Sequence, residues 1–293
     1  MHFFGDYALP VVLFIIMVGI GLSTNLADFK ALIKFPKAAI LGILSQIILL
    51  PLIALLIGWG LNYSDEVILG LLLLSLCPSG TGSNIITKMV KGNLALSVSL
   101  TTASNIKSLL TIPLFLSIYL KEVQGEIGDI DLPYYDLSFR VFILAIIPTA
   151  LGVLLSIKVP KLVEVTKKTL KWLLPALLFG VFTAIMFLDD KKEADVNIFE
   201  MLIPAVIINL VSMLTPYYLV RLFKIESKQA LAIGIEGGLK NSAIGLLIAT
   251  TFLKIPEIEL LILAYSFVSF YLTFVVSLLI QKIEGYNSKI SSL

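Results

Sequence analysis

The sequence predicts an all-α integral membrane protein of nine transmembrane helices, two of them discontinuous, and three observations carry that expectation. Of its 293 residues, 58% are hydrophobic and 14% charged, with a mean hydropathy of +1.00, far more apolar than a soluble domain. Nine apolar windows recur, each long enough to cross a ~30 Å hydrocarbon core at ~1.5 Å per residue. The basic residues then alternate between successive loops, as the positive-inside rule requires.

The first window, 8–26, has no basic run before it and no A-x-A-like site after it, so it reads as a retained span rather than a leader. The second, 38–61, carries Gln46, and the third, 67–90, is interrupted by CPSGTGSN at 77–84. The fourth, 93–120, places Ser97, Thr101, Ser104, Asn105 and Lys107 in an otherwise apolar segment, and the acidic loop 121–136 follows it. Windows at 137–157, 169–188 and 198–221 lead to the eighth, 228–253, which EGGLKNS interrupts at 236–242, and to the ninth, 257–281. Pro51, Pro113, Pro148, Pro175, Pro204 and Pro216 are read as packed kinks without a functional role.

The loops holding Lys30, Lys34 and Lys37, then Lys88 and Lys91, then Lys158 to Lys171, then Arg221, Lys224 and Lys228, together with the tail, carry fifteen basic residues. The intervening loops carry five and are acidic. The alternation predicts an outside N-terminus and a cytoplasmic C-terminus in the cell membrane. The two interrupted spans, third and eighth, then cross in opposite senses. Spans one to four (about 8–120) and six to nine (about 169–281) read as an inverted repeat around an unpaired fifth span. All of 1–293 forms a single membrane unit.

Unwound backbone at membrane depth costs several kcal/mol per unsatisfied group unless protein, water or solute satisfies it. Paired broken helices in two inverted halves are the sequence signature of a carrier's substrate and ion site. Twenty of the 22 basic residues lie in loops or the tail, which leaves Lys107 and Lys240 within spans, and Glu236 is the acid at that depth. Buried charges of this kind must face a cavity or each other. Around Glu236 the sequence supplies hard oxygen donors in Thr81, Ser83, Asn84, Ser97, Thr101, Ser104, Asn105, Asn241, Ser242 and Gln46. Such donors suit sodium or a proton, whereas one terminal His2 and one Cys77 argue against zinc or copper and exclude an intrachain disulfide. A net charge of +2 parcelled among short loops points to no nucleic-acid partner. No Ser/His, paired-aspartate or HExxH set is present for catalysis, so no enzyme and no organic cofactor is expected.

The residues resemble the bile acid:sodium symporter family, in GIGLSTNLADF at 19–29, SQIILLP at 45–51, CPSGTGSNIITKMVKGNLALSVSLTTAS at 77–104 and EGGLKNSAI at 236–244. The chain looks like a nine-span bacterial-type member, which implies the inner membrane of a bacterial cell. The resemblance implies an NhaA-like architecture in which a core domain with two crossing unwound helices works against a panel domain. It places the core at about 67–120 and 228–281 and the panel at about 8–61 and 137–221, with spans 38–61 and 198–221 adjoining both. It further implies symport of an organic anion, bile acid-like or a small carboxylate, with sodium. Carried over, a first sodium site falls on Ser83, Asn84, Ser97, Thr101 and Glu236. A second falls on Gln46, Glu236, the backbone at Gly237 and Leu239, and a position usually held by glutamine. Here that position is Lys240, whose ammonium is expected to replace or repel the second cation and lower the sodium stoichiometry.

Lys107 is expected to attract the substrate's anionic group, with Thr81, Asn105 and Asn241 as polar contacts aided by helix N-termini. The alternative is a proton-coupled or antiport-type carrier of the same architecture, with Lys240 or Lys107 carrying the proton.

Overall fold

The computed structural model describes residues 9–23, 29–80, 82–122, 143, 147–159, 169, 180 and 198–290, which are almost wholly helical. In chain order the helices are α1 (Leu9–Ser23), α2 (Lys30–Lys34), α3 (Pro36–Gly60), α4 (Asp65–Leu76), α5 (Gly82–Met89), α6 (Leu94–Glu122), α7 (Ile147–Lys158), α8 (Ile198–Leu222), α9 (Ser227–Gly238), α10 (Ser242–Leu253) and α11 (Pro256–Ile290). Within this set α3, α8 and α11 are each long and apolar enough to cross a membrane unaided, and α6 joins them if its two bent halves form one span. The expected span 169–188 apart from residues 169 and 180, positions 137–142 and 144–146 of the span 137–157, and the acidic loop 123–136 lie outside the described residues.

Both expected interruptions are present. The third apolar window is split into α4 and α5, the eighth into α9 and α10. The polar runs are longer than the breaks. Ser83 and Asn84 already belong to the first turn of α5, and Glu236, Gly237 and Gly238 to the last turn of α9. Between the helix ends the chains run antiparallel, joined by an isolated bridge between Ser79 and Lys240.

Proline chemistry shapes two further places. In α3, residues Ser45–Leu49 form a π-helical turn in which the Leu50 N–H reaches back five residues to the Ser45 carbonyl. The next residue, Pro51, has no N–H to offer Gln46 in the same pattern, so the Gln46 carbonyl is freed. In α6 the halves Leu94–Ser108 and Leu110–Glu122 meet at 49°. Pro113 lies four residues past the join, where its ring clashes with the carbonyl of residue 109 and removes its hydrogen bond.

Packing gathers most of the helices around α4. Leu50, Ile53 and Ala54 of α3, Leu69 to Leu76 of α4, Ala205 and Ile208 of α8, Ile248 of α10 and Leu261 to Tyr265 of α11 form one buried cluster. Helices α1 and α7 pack on each other through Gly21 and Gly152, where an added Cβ on either would collide with the opposite backbone. Helix α9 lies equally close on α8: a Cβ on Gly237 would strike the Ser212 carbonyl oxygen, and one on Gly238 the Met213 side chain.

Ends that the charge alternation put on one face also meet. Lys37 Nζ donates to the Phe223 carbonyl at 2.8 Å and the Asn93 N–H to the Lys228 carbonyl at 2.9 Å. At the same end Glu284 of α11 accepts from Tyr217 Oη at 2.6 Å and from Ser227 Oγ, with Arg221 Nε 3.7 Å away. At the opposite end Tyr119 of α6 donates to Asp65 at the start of α4, 3.0 Å apart.

Candidate functional site

The crossing of the two breaks is where the polar residues converge, and the freed backbone groups there are matched pair by pair. The Gly80 N–H donates to the Leu239 carbonyl at 3.0 Å and the Asn241 N–H to the Pro78 carbonyl at 2.8 Å. The Gly238 carbonyl, left over at the end of α9, accepts from Asn209 Nδ2 at 2.6 Å and from the Tyr265 hydroxyl. The same Tyr265 oxygen accepts the Lys240 N–H at 2.9 Å. Ser79 closes the set: its N–H donates to Ser104 Oγ at 3.1 Å and its hydroxyl to the Glu236 carbonyl at 2.9 Å. Unwinding is affordable in an apolar protein because each interrupted segment supplies the other's hydrogen bonds.

Glu236 is fully buried. Its Oε1 accepts from Ser83 Oγ at 2.6 Å, Ser97 Oγ at 2.6 Å and Thr101 Oγ1 at 2.9 Å, and Thr101 Oγ1 also lies 3.0 Å from Oε2. Ser97 and Thr101 sit four residues apart on α6 and so share a face, while Ser83 comes from the first turn of α5. Thr87 Oγ1 donates to Ser97 Oγ at 3.2 Å, and Asn84 Nδ2 donates to Thr101 Oγ1, also at 3.2 Å. The Asn84 Oδ1 is buried without a hydrogen-bond partner. All five residues expected at the first sodium site are therefore brought together.

Two of these hydroxyls have a second acceptor in reach. Ser83 Oγ lies 2.8 Å from the Gly80 carbonyl, and Thr101 Oγ1 lies 3.0 Å from the Ser97 carbonyl. A hydroxyl carries one proton and two lone pairs. If the proton turns to the backbone carbonyl, the lone pairs turn toward the carboxylate and toward any cation beside it. The pocket can thus serve an ion-free carboxylate as donor and a hard cation as ligand without moving a heavy atom.

The residues of the expected second cation site lie beside it. Gln46 is buried in the π-helical turn of α3, and its freed carbonyl accepts from Lys107 Nζ at 3.1 Å. The Leu239 carbonyl is taken by Gly80. The Lys240 side chain is 4% exposed, and its Nζ has no hydrogen-bond partner. Lys240 lies within electrostatic reach of Glu236, and Lys107 within reach of Lys240.

Of the expected substrate contacts, Lys107 stands next to the crossing. Asn241 spends its Oδ1 on the Ile244 N–H at 3.4 Å, capping α10. Asn105 is half-buried one position beyond Ser104 on α6, and Thr81 lies outside the described residues. Ser79, Asn209 and Tyr265 were not singled out by sequence. Ser79 stands inside the polar run at 77–84 and could have been found there. Asn209 and Tyr265 are scattered polar residues among others in apolar spans, and nothing local separates them from ordinary interhelical hydrogen-bonding residues.

The model of the Sodium Bile acid symporter family matches residues 10–193, which covers the α4–α5 break and α6 and stops short of Glu236. Among known proteins the chain is 30% identical to the uncharacterized sodium-dependent transporter YocS of Bacillus subtilis, over 83% of this chain and 73% of that protein. It is 28% identical to the probable chloroplastic sodium/metabolite cotransporter BASS2 of rice, over 80% of this chain and 54% of that protein. The sodium-dependent organic anion transporter of mouse is 30% identical over 78% of the chain and 60% of its own length. The chain thus spans just over half to about three quarters of these relatives.

Proposed function

The chain belongs to the Sodium Bile acid symporter family, and from that premise we propose that it is a secondary transporter coupling sodium to the movement of an organic anion. The observation that carries the proposal is the Glu236 carboxylate, enclosed by the hydroxyls of Ser83, Ser97 and Thr101 where two broken helices cross. The buried Asn84 Oδ1 without a partner adds a sixth oxygen. Carboxylate, hydroxyl and amide oxygens in this number are the ligand set of a hard cation. Sodium is the co-transported substrate in this reading.

The cycle follows from the charges. Before sodium enters, the carboxylate is held by three hydroxyl protons, each a charge-assisted bond worth about 1.5–3 kcal/mol. Sodium takes the place of those protons, which in Ser83 and Thr101 turn to the Gly80 and Ser97 carbonyls. The ion ties α5 and α6 to α9, and so holds the crossing in one arrangement while the anion binds near Lys107. Alternating access then moves a core carrying the crossing against a panel. We place α3 and α8 with the core, since they pack on α4 and α9, and assign α1 and α7 to the panel. Nine spans in an inverted repeat, with the N-terminus outside and the C-terminus cytoplasmic, complete the proposed topology.

Lys240 sets the stoichiometry in this proposal. Its ammonium supplies beside Glu236 the positive charge that a second sodium would bring, so one sodium moves per cycle. The direct test is uptake of labelled organic anions into proteoliposomes with and without an inward sodium gradient. Sodium-dependent accumulation is expected. Accumulation that follows a proton gradient and ignores sodium would favour the proton-coupled alternative.

A further inference from the structure

We propose that the transported anion carries two negative charges, one paired with Lys240 and the other with Lys107. The inference rests on the sodium-coupled reading above and names the substrate class of that same site.

The Lys240 side chain is more than nine-tenths buried, and its ammonium has three donors and no acceptor. A buried charge in this state is strongly unfavourable, so the partner it lacks is one that enters and leaves. Lys107 stands one turn beyond Ser104, whose hydroxyl accepts the Ser79 N–H, and Ser79 is bridged to Lys240. The Lys107 ammonium spends one donor on the Gln46 carbonyl and keeps two. The two lysines lie within electrostatic reach of each other. Both therefore stand at the same crossing of the two broken helices.

The acid that could have neutralised them is engaged elsewhere. Glu236 directs its carboxylate at Ser83, Ser97 and Thr101, and no hydrogen bond links it to either lysine among the described residues. With both lysines protonated and Glu236 ionised, the empty site holds one net positive charge. One bound sodium raises it to two. A monoanion leaves one charge uncompensated inside the membrane, where charge is costly, whereas a dianion brings the loaded site to neutrality. Two chemistries meet this requirement: a short dicarboxylate with one group per lysine, and a phosphate monoester whose oxygens serve both.

The test is sodium-driven uptake into proteoliposomes of the parent protein, using matched pairs: succinate against butyrate, 2-oxoglutarate against 2-oxovalerate, and phenyl phosphate against benzoate. The dianion of at least one class is expected to be favoured by about 100-fold, as follows from one additional charge-assisted hydrogen-bonded pair. The first two pairs and the third separate the dicarboxylate from the phosphate. Lys107→Gln should lower dianion flux far more than monoanion flux, while sodium still raises the Tm of the purified variant, which shows that it is folded. Equal transport of a monoanion and its matched dianion would overturn the proposal while leaving sodium coupling intact. Equal loss of both classes in Lys107→Gln, with the sodium-dependent Tm shift retained, would also overturn it. No sodium-dependent flux of any of these anions or of taurocholate would remove the parent reading and this one together.

Discussion

Replacing Lys240 by glutamine tests the link between one side chain and the energetics of the whole cycle. The Lys240 ammonium is buried without a hydrogen bond and within electrostatic reach of the Glu236 carboxylate. Two unit charges ~4 Å apart at an effective dielectric constant of ~20 repel by about 4 kcal/mol, so a sodium placed beside this ammonium would bind about 1000-fold more weakly than beside a neutral amide. The parent protein should therefore show a Hill coefficient near one for sodium-dependent uptake. In Lys240→Gln the ammonium is gone, and an amide oxygen joins Gln46, Glu236 and the backbone near Gly237 as a ligand. The coefficient should move toward two.

Voltage provides an independent reading of the same change. One sodium carried with a dianion moves one net negative charge inward, so an inside-negative potential opposes accumulation by ~2.3 kcal/mol per 100 mV, about 50-fold. A second sodium cancels that charge, and the voltage sensitivity of dianion uptake should vanish in the variant. Potentials set with valinomycin and potassium, combined with sodium titrations in proteoliposomes, measure both quantities. A Hill coefficient near two in the parent would refute the reasoning, because it would show that a second sodium binds despite the ammonium.

Three further outcomes follow from the geometry. Glu236→Gln should abolish sodium-dependent uptake and the sodium-dependent rise in Tm, since it removes the charge on which three hydroxyls converge. Gly237→Ala should destabilise the protein by about 1–3 kcal/mol, because its Cβ would strike the Ser212 carbonyl oxygen and push α9 off α8. Gly60→Ala, where a Cβ meets nothing within 4 Å, should leave Tm unchanged and serves as the control. Tyr265→Phe deprives the Lys240 N–H of its acceptor and the Gly238 carbonyl of one of two donors. It should cost about 1–3 kcal/mol in thermal unfolding, with a smaller effect on sodium affinity than Glu236→Gln.

The membrane class, the places where two spans break, and the charges Glu236, Lys107 and Lys240 could all be read in the linear chain. They are consequences of local composition: an apolar run long enough for lipid, glycine and proline where it unwinds, and an ionised side chain too deep to reach water. The cluster around Glu236 was legible for a related reason. Ser83 and Asn84 adjoin one break, Glu236 adjoins the other, and Ser97 and Thr101 share a helical face four residues apart. What the chain could not display is how distant segments satisfy one another. Tyr265 and Asn209 hold the end of α9 from helices far away in sequence, and neither differs locally from a polar residue between packed helices.

The same limit separates the lysines from their surroundings. Sequence marks Lys107 and Lys240 as buried charges, but only the tertiary structure decides that one takes the carbonyl freed by Pro51 and the π-helical turn at Gln46, while the other is left without a partner. Burial in lipid depends on the composition of one segment, whereas hydrogen-bond pairing depends on distances between segments that only the packed fold brings together.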